Sequence, residues 1–360
     1  MVKILVTGSE GKTTLKAIMR QMFGTGASAR ILDNLNTYRT VSAELELDGP
    51  SSDITCLEAG TNSPGELVPI TQLVNPHILV ITSITTAHLG CFDGEEGLVK
   101  EKLSPISVLK AGASVVYPGS SRHVARIRQE VQKYGHRGWQ FGGDVHEASV
   151  ALIKKEIDAK RLRTMVEAQA AAGLVKYELK TIGDHYVTLS LAALTTLLAL
   201  GFDLNEYISK LEMFEPFPGR GQILHVCHDG IKYDVVDDTY NASPEAMKAS
   251  LRTLAALPNV NKIALIGQML ELGTFEAEIH DQIAKQLSEM KLKKAHFIGP
   301  EHLWPIMNRY REVECHPEIN EAIALAIIGS VTPGTVILAK ASRKIQLDKF
   351  VTIAKDLSHI

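Results

Sequence analysis

A short β-branched run, Lys3-Ile4-Leu5-Val6, passes straight into Gly8-Ser9-Glu10-Gly11-Lys12-Thr13-Thr14 and then into a segment of helical apolar spacing from about Thr13 to Phe23. Strand, glycine turn and helix in immediate succession suit one task above others. Glycines let backbone N–H groups face a phosphate with no Cβ in the way, and the helix N-terminus adds partial positive charge. Lys12 supplies a point charge for the β- and γ-phosphates, and the Thr13 hydroxyl can reach Mg²⁺. Gly8, Ser9, Glu10, Gly11, Lys12, Thr13 and Thr14 are therefore the candidate nucleotide-binding residues, with ATP and Mg²⁺ as the expected cofactors. The match to the general pattern is incomplete, because Val6 stands where its first glycine would be. A plain strand–helix turn is the alternative; the flanking strand and helix favour the phosphate loop.

The rest of the chain alternates in the same way. Ile54–Glu58, His77–Thr82 and Ser114–Tyr117 read as buried strands, nearly continuous in apolar residues, as in a parallel sheet covered on both faces. Helical patterns lie between them, at Pro64–Leu73 and Gly97–Leu109. Val150–Ile153 and Tyr177–Lys180 look like strands of an antiparallel addition, followed by a long helix from His185 to Gly201. Phe214-Glu215-Pro216-Phe217-Pro218-Gly219-Arg220-Gly221 is rich in proline and glycine and reads as a linker. Beyond it a second α/β unit is expected, with strands at Lys232–Asp237, Lys262–Gly267, Lys294–Ile298 and Thr335–Ala339 and helices at Pro244–Ala256, Phe275–Met290 and Ile319–Ile328. The expected fold class is α/β: a doubly wound P-loop domain over 1–218, then a smaller Rossmann-like α/β domain over 219–360.

Composition excludes other classes. The 360 residues are 45% hydrophobic and 22% charged with a formal net charge of −3, so no basic excess points to nucleic acid or to a membrane surface. The longest apolar stretch, Leu189–Leu200, is too short to span a bilayer. No signal peptide is read at the N-terminus. Cys56, Cys91, Cys227 and Cys315 are scattered and read as reduced thiols, which makes the cytoplasm the expected compartment.

Seven segments, taken in order, resemble one family. The turn from Gly8 to Thr14 is similar to the shortened P-loop of the Mur ligases. Asn34-Leu35-Asn36, Glu58-Ala59-Gly60-Thr61-Asn62-Ser63-Pro64-Gly65-Glu66, Ile81-Thr82-Ser83-Ile84-Thr85-Thr86-Ala87-His88-Leu89 and Asp237-Asp238-Thr239-Tyr240-Asn241-Ala242-Ser243-Pro244 resemble segments of its MurF branch. Ser83 and Ser243 each replace an asparagine of that pattern. Gly267–Gly273 and Lys340-Ala341-Ser342-Arg343 echo two more segments, each with one substitution.

The resemblance implies an ATP-dependent ligase that converts a substrate carboxylate to an acyl phosphate, releasing ADP. Since two anions must be brought together, a divalent metal is needed. By resemblance, Thr13, Glu58 and His88 hold that metal, with Lys12, His88 and Lys102 as catalytic residues. Lys102 falls where the family carries a carbamylated lysine; Lys100 is the second candidate, and two solvated lysines flanking Glu101 are the bland alternative. Arg220, Asp238, Tyr240 and Asn241 resemble the nucleotide contacts of the C-terminal domain, with Asp238 as the ribose acid. Asn36 and Asn62 fall in segments expected to meet substrate. Lys340 and Arg343 could clamp the carboxylate of an incoming nucleophile, and closure of the second domain over the nucleotide is expected to exclude water.

The chain opens at the P-loop strand, so the family's UDP-sugar-gripping N-terminal domain is not expected here and the UDP-muramoyl substrate is in doubt. Among Mur-like enzymes of this short architecture, the synthetase that closes a ring on a nickel tetrapyrrole propionate to complete coenzyme F-430 in methanogens is the leading specific expectation. A MurF-like amide-forming peptide ligase and a non-catalytic nucleotide-binding homologue are the alternatives. A small-molecule carboxylate is the expected partner, with no nucleic acid or membrane; the oligomeric state is open, a monomer being plausible.

Overall fold

A computed structural model of the chain describes residues 2–24, 29–31, 37–46, 53–85, 92–171, 173–258 and 260–359. The chain divides into two compact units. The first comprises Met1–Glu156, Met165–Leu179 and His185–Phe214; the second comprises Ile157–Thr164, Lys180–Asp184 and Glu215–Ile360.

The first unit runs β1 (Val2–Thr7), α1 (Lys12–Phe23), β2 (Ala29–Ile31), α2 (Tyr38–Glu46), β3 (Ile54–Glu58), α3 (Leu67–Val74), β4 (Ile78–Ile81), α4 (Gly94–Leu103), β5 (Ser114–Pro118), α5 (Val124–Lys133) and β6 (Arg137–Phe141). β7 (Val150–Asp158), β8 (Arg163–Ala170) and β9 (Gly173–Leu179) extend the sheet, and α6 (Asp184–Leu200) and α7 (Asn205–Glu212) follow. Among the described residues nine strands lie in the order β2-β3-β1-β4-β5-β6-β7-β8-β9, and pairing is parallel from β2 through β7. β3, β4 and β5 are buried along their whole length, which is why they are nearly continuous in apolar residues.

α1 packs on this sheet through Leu15, Ile18, Met19 and Met22, all essentially unexposed. Their i, i+3, i+4, i+7 spacing puts them on one face, and each contributes about 1.5–3 kcal/mol by leaving water. Gly24 ends the helix at φ 79°, with its N–H bonded back to Arg20 O. The helix expected over Gly97–Leu109 stops at Leu103 and tightens into a 3₁₀ turn over Ser104–Val108. Pro105 is the cause, since it lacks an N–H and its ring clashes with the preceding turn.

β1 has β3 on one side and β4 on the other, reached by crossovers in opposite directions. The crevice at such a reversal opens beyond the carboxyl ends of the strands. The turn after β1, the last residue of β3 and the segment after β4 all lie there.

The second unit contains β10 (Gln222–His228), β11 (Ile231–Asp237), α8 (Pro244–Ala256), β12 (Asn261–Gly267), α9 (Glu276–Glu289), β13 (Lys294–Ile298), α10 (Trp304–Met307), β14 (Glu314–His316), α11 (Glu321–Gly329), β15 (Thr335–Lys340) and α12 (Asp348–Asp356). Its sheet runs β10-β11-β15-β12-β13-β14. Only β10 pairs antiparallel with its neighbour among the described strands of this sheet. One core cluster gathers Met247, Leu251, Ile283 and Leu287, and another gathers Tyr233, Leu265, Ile327 and Phe350. Among the described residues no helix is long and apolar enough to cross a membrane.

Candidate active site

The turn after β1 has a backbone that glycine adopts readily and other residues do not. Gly8 has φ 142° and Gly11 φ 82°. A Cβ at Gly8 would lie 2.1 Å from Thr82 Oγ1 and 2.9 Å from the Ser83 backbone nitrogen, so no side chain fits. Gly11 caps α1 with no side chain of its own, the arrangement in which a helix N-terminus receives an anion.

The end of β4 holds the turn in shape. Thr82 N–H donates to Thr7 O and Ser9 N–H to Ser83 O, each at 2.9 Å. Thr82 Oγ1 donates to Glu10 O at 2.5 Å, Glu10 N–H donates to Ser83 Oγ at 3.0 Å, and Thr85 N–H donates to Ser9 Oγ at 3.0 Å. Ser83, where the family pattern has asparagine, thus still serves the loop.

Two lysines converge on the loop. Lys12 Nζ donates to Gly8 O at 2.9 Å and to Ser9 O at 3.4 Å. Lys102, in the last turn of α4 and 3% exposed, donates to the same Gly8 O at 3.1 Å. Burial, and then repulsion from Lys12, pushes the Lys102 ammonium down to about 7, with Glu101 opposing the shift. Lys100 is exposed.

Glu58 ends β3 in register with Val6. Its Oε2 accepts from Thr13 Oγ1 at 3.2 Å and pairs with Lys16 Nζ at 3.1 Å, with both side chains almost fully buried. A carboxylate oxygen and a hydroxyl side by side at the helix N-terminus are hard donors of the kind Mg²⁺ takes. His88 and Asn36 lie outside the described residues.

Three residues at this site were not anticipated. Lys16 holds Glu58 from inside α1. Thr82 fills the space Gly8 leaves. Glu101, read from sequence as the neighbour of two solvated lysines, is buried: its carboxylate accepts from Gly65 N–H at 2.7 Å, Leu67 N–H at 3.0 Å and Thr61 Oγ1 at 3.5 Å. It thereby fixes the loop that carries Asn62, which is itself exposed with its N–H on Glu66 Oε2 at 2.8 Å. The backbone N–H groups pointing at Glu66, that of Asn62 foremost, hold its carboxyl below the usual range. The signal for Glu101 was present as an acidic residue among α4 apolars, but periodicity alone does not separate it from a solvated one.

The second unit gathers the other candidates around β11 and β15. Asp237 is buried and accepts from Gly219 N–H at 2.7 Å and Thr239 Oγ1 at 2.6 Å, which anchors the linker; burial raises its carboxyl. The Arg220 guanidinium lies 4.0 Å from the centre of the Tyr240 ring, a cation–π contact. Asp238 Oδ2 accepts from Lys340 Nζ at 2.8 Å and from Ser250 Oγ at 2.7 Å, and Lys340 also donates to Asn241 O at 3.0 Å. Ser243, the other departure from the family pattern, caps α8 by accepting from Ala246 N–H at 3.2 Å, with Pro244 at the first helical position. Lys340 and Arg343, both expected to meet the nucleophile's carboxylate, have different partners in the structure. Lys340 is buried on Asp238, while Arg343 is exposed and pairs with Asp348 at 3.1 Å.

A glycine-built phosphate turn at the switch point of a doubly wound sheet, a carboxylate and a hydroxyl at its mouth, and a buried lysine behind it define a P-loop ATP-dependent enzyme. The comparisons agree and go further. Residues 6–197 match the model of the Mur ligase middle domain, and residues 219–343 match that of the Mur ligase glutamate ligase domain. This chain belongs to the Mur ligase family. It is 26% identical over 356 residues to the UDP-N-acetylmuramoyl-tripeptide–D-alanyl-D-alanine ligase of Rickettsia prowazekii (strain Madrid E), covering 97% of this chain and 77% of that protein. MurF from Acinetobacter baumannii superposes with a TM-score of 0.85 at 25% identity, over 100% of this chain and 77% of that one. MurF ligase from Thermotoga maritima in complex with ADP gives 0.84 at 25% identity, over 99% and 80%. The chain is an ATP-dependent, ADP-forming ligase that uses ATP with Mg²⁺.

Proposed function

We propose that this ligase is a MurF-like, amide-forming peptide ligase. A carboxylate oxygen of the acceptor attacks the γ-phosphorus of ATP and ADP departs. The amine of an amino acid or dipeptide then adds to the acyl phosphate, loses its proton, and phosphate leaves from the tetrahedral intermediate. The observation that carries the chemistry is the meeting of Lys12 and Lys102 at Gly8 O. The choice of an amine nucleophile rests on the relatives, whose names describe ligases joining D-alanyl-D-alanine to a muramoyl tripeptide.

Lys12 neutralises the transferred phosphate. Thr13 and Glu58, with His88, are the residues that would hold Mg²⁺, which when bound offsets the charge between the two anions. Lys102, pushed to about 7, is partly neutral amine at neutral pH. It can add CO₂, forming an N–C bond and giving one proton to water, which turns a cation beside the phosphate loop into an anionic carbamate. Arg220, Asp238, Tyr240 and Asn241 are proposed for the nucleotide, with Lys340 orienting Asp238. Asn36, Asn62 and Arg343 are proposed for the substrates.

The ring-closing reaction on a nickel tetrapyrrole, expected from chain architecture, has no support among these relatives. Phosphate release from ATP and Mg²⁺ separates the two readings. Stimulation that requires both an acceptor such as a UDP-muramoyl peptide and an amino acid or dipeptide is the expected result. Stimulation by a seco tetrapyrrole acid with no added amine would overturn it. Lys12→Ala abolishes the stimulated release; near-normal turnover in that variant would remove the phosphate-loop assignment.

A further inference from the structure

One edge of the second unit's sheet carries a cluster that the ligase reaction does not use. His296 on β13 and Glu314 on β14 are register partners, and His316 pairs with Ile298 two positions on. Strand alternation therefore puts His296, Glu314 and His316 on one face. One ligand atom from each lies within 4.8 Å of the other two. His296 Nδ1 and Glu314 Oε2 are 3.4 Å apart, and the two imidazole rings lie nearly parallel at 19° with centroids 5.9 Å apart.

These groups are poorly satisfied by the protein itself. His296 is 1% exposed, and both of its ring nitrogens, together with Nε2 of His316, are buried with no hydrogen-bond partner. Leaving such an atom unpartnered is unfavourable. Protonation does not resolve this, since burial pushes both imidazoles below their ordinary range despite Glu314. The carboxylate, meanwhile, is held in place. Lys294 Nζ donates to Glu314 Oε1 at 2.8 Å, which turns Oε2 toward His296, and the same lysine keeps the carboxyl ionised below its usual range. Two neutral imidazoles and an oriented carboxylate are a ligand set for a borderline transition metal, whereas Mg²⁺ and Ca²⁺ take oxygen donors.

We propose that His296, Glu314 and His316 bind a divalent transition-metal ion of the Zn²⁺ type, with water completing its coordination. The ion clips β14, a strand of three residues at the sheet edge, to β13. Its role is structural, apart from the Mg²⁺ used in turnover.

The test uses the full chain after treatment with chelator. Equilibrium dialysis against Zn²⁺ and titration with Co²⁺, read by visible absorption, are run in excess Mg²⁺ on the wild type, Glu314→Gln and His316→Ala. Both substitutions lie at positions less buried than His296 and leave the sheet core intact. The expected result is one equivalent of metal taken up, a Co²⁺ spectrum of low coordination number, and loss of both in each variant. Zn²⁺ should also raise the melting temperature of the wild type and not that of His316→Ala. Equal uptake by wild type and variants, or no uptake by any, overturns the proposal and leaves a buried water as the partner of the ring nitrogens.

Discussion

Lys102 Nζ stands 3.1 Å from the carbonyl oxygen of Gly8, a residue 94 positions earlier in the chain. An amine is thus seated against the phosphate turn by α4, the helix that follows β4 in the chain. With Lys12 on the same oxygen at 2.9 Å, two cations share one acceptor, and the buried one gives way.

The pH dependence follows. Lys102 falls from its ordinary 10.5 to about 7 in the folded chain. Between those values the unfolded chain holds a proton that the folded chain does not, so stability rises with pH across that window, and the cost of the buried ammonium is fully present below it. Lys102→Met removes the cost. Its stability advantage over the wild type, measured by urea denaturation, should be largest below pH 7 and vanish near pH 10.5. The same variant should lose turnover. In the wild type, turnover should rise as pH passes about 7 and on adding bicarbonate, with a carbamate carbon visible by NMR when ¹³C-bicarbonate is supplied. An active Lys102→Met would end the assignment of this lysine to catalysis.

Gly8→Ala tests the turn. At φ 142° an alanine backbone is strained by about 1–3 kcal/mol, and its Cβ would meet Thr82 Oγ1 at 2.1 Å. Nucleotide binding, followed calorimetrically, should be lost while the second unit stays folded. Adding Thr82→Ala removes the clash with Oγ1 but neither the 2.9 Å approach to the Ser83 backbone nitrogen nor the strain, and should restore binding only in part. Full binding by Gly8→Ala alone would contradict the loop geometry.

Lys340 and Asp238 make an opposed pair of predictions. Breaking a buried ion pair costs about 3–5 kcal/mol, and Asp238, 16% exposed in its side chain, belongs at the low end. Lys340→Met should therefore destabilise the protein and weaken nucleotide binding, and Asp238→Asn in the same chain should recover part of the stability. If Lys340 instead clamped the carboxylate of the nucleophile, the single variant would keep its stability and raise only the KM for that substrate.

The strands that proved easy to read are the ones covered on both faces. Ile54–Glu58 and Lys294–Ile298 needed nothing beyond a nearly continuous apolar run. β2 and β14 escaped because they are three-residue edge strands, β10 because its exposure leaves no apolar run, and β8 because its buried positions include Thr164 and two alanines, which do not register as hydrophobic alternation. In the site, Lys12, Thr13 and Glu58 were legible because a local motif carries them. Lys16, Thr82 and Glu101 were not, since each acquires its partner only when the sheet brings distant segments together. Lys340 was legible as a residue of interest, but its partner was not: the parallel pairing of β15 with β11 places it beside Asp238.

Glu101 offers the sharpest of these tests, because it holds the loop that carries Asn62 and its charge acts on Lys102. Its carboxylate takes the N–H groups of Gly65 and Leu67, one on each oxygen. A glutamine can accept only one of them and sets its own NH₂ against the other, leaving a buried donor unpaired at about 1–3 kcal/mol. Glu101→Gln should therefore lower stability by that amount and loosen the loop that carries Asn62, raising the acceptor's KM more than it lowers kcat. A purely structural part would stop there. Glu101 also holds the Lys102 pKa up against burial and Lys12, so removing its charge should move the acid limb of the turnover profile to lower pH. A profile that keeps its acid limb in place while stability falls would confine Glu101 to the loop. A shifted limb would tie the loop, the lysine and the phosphate turn into one electrostatic unit.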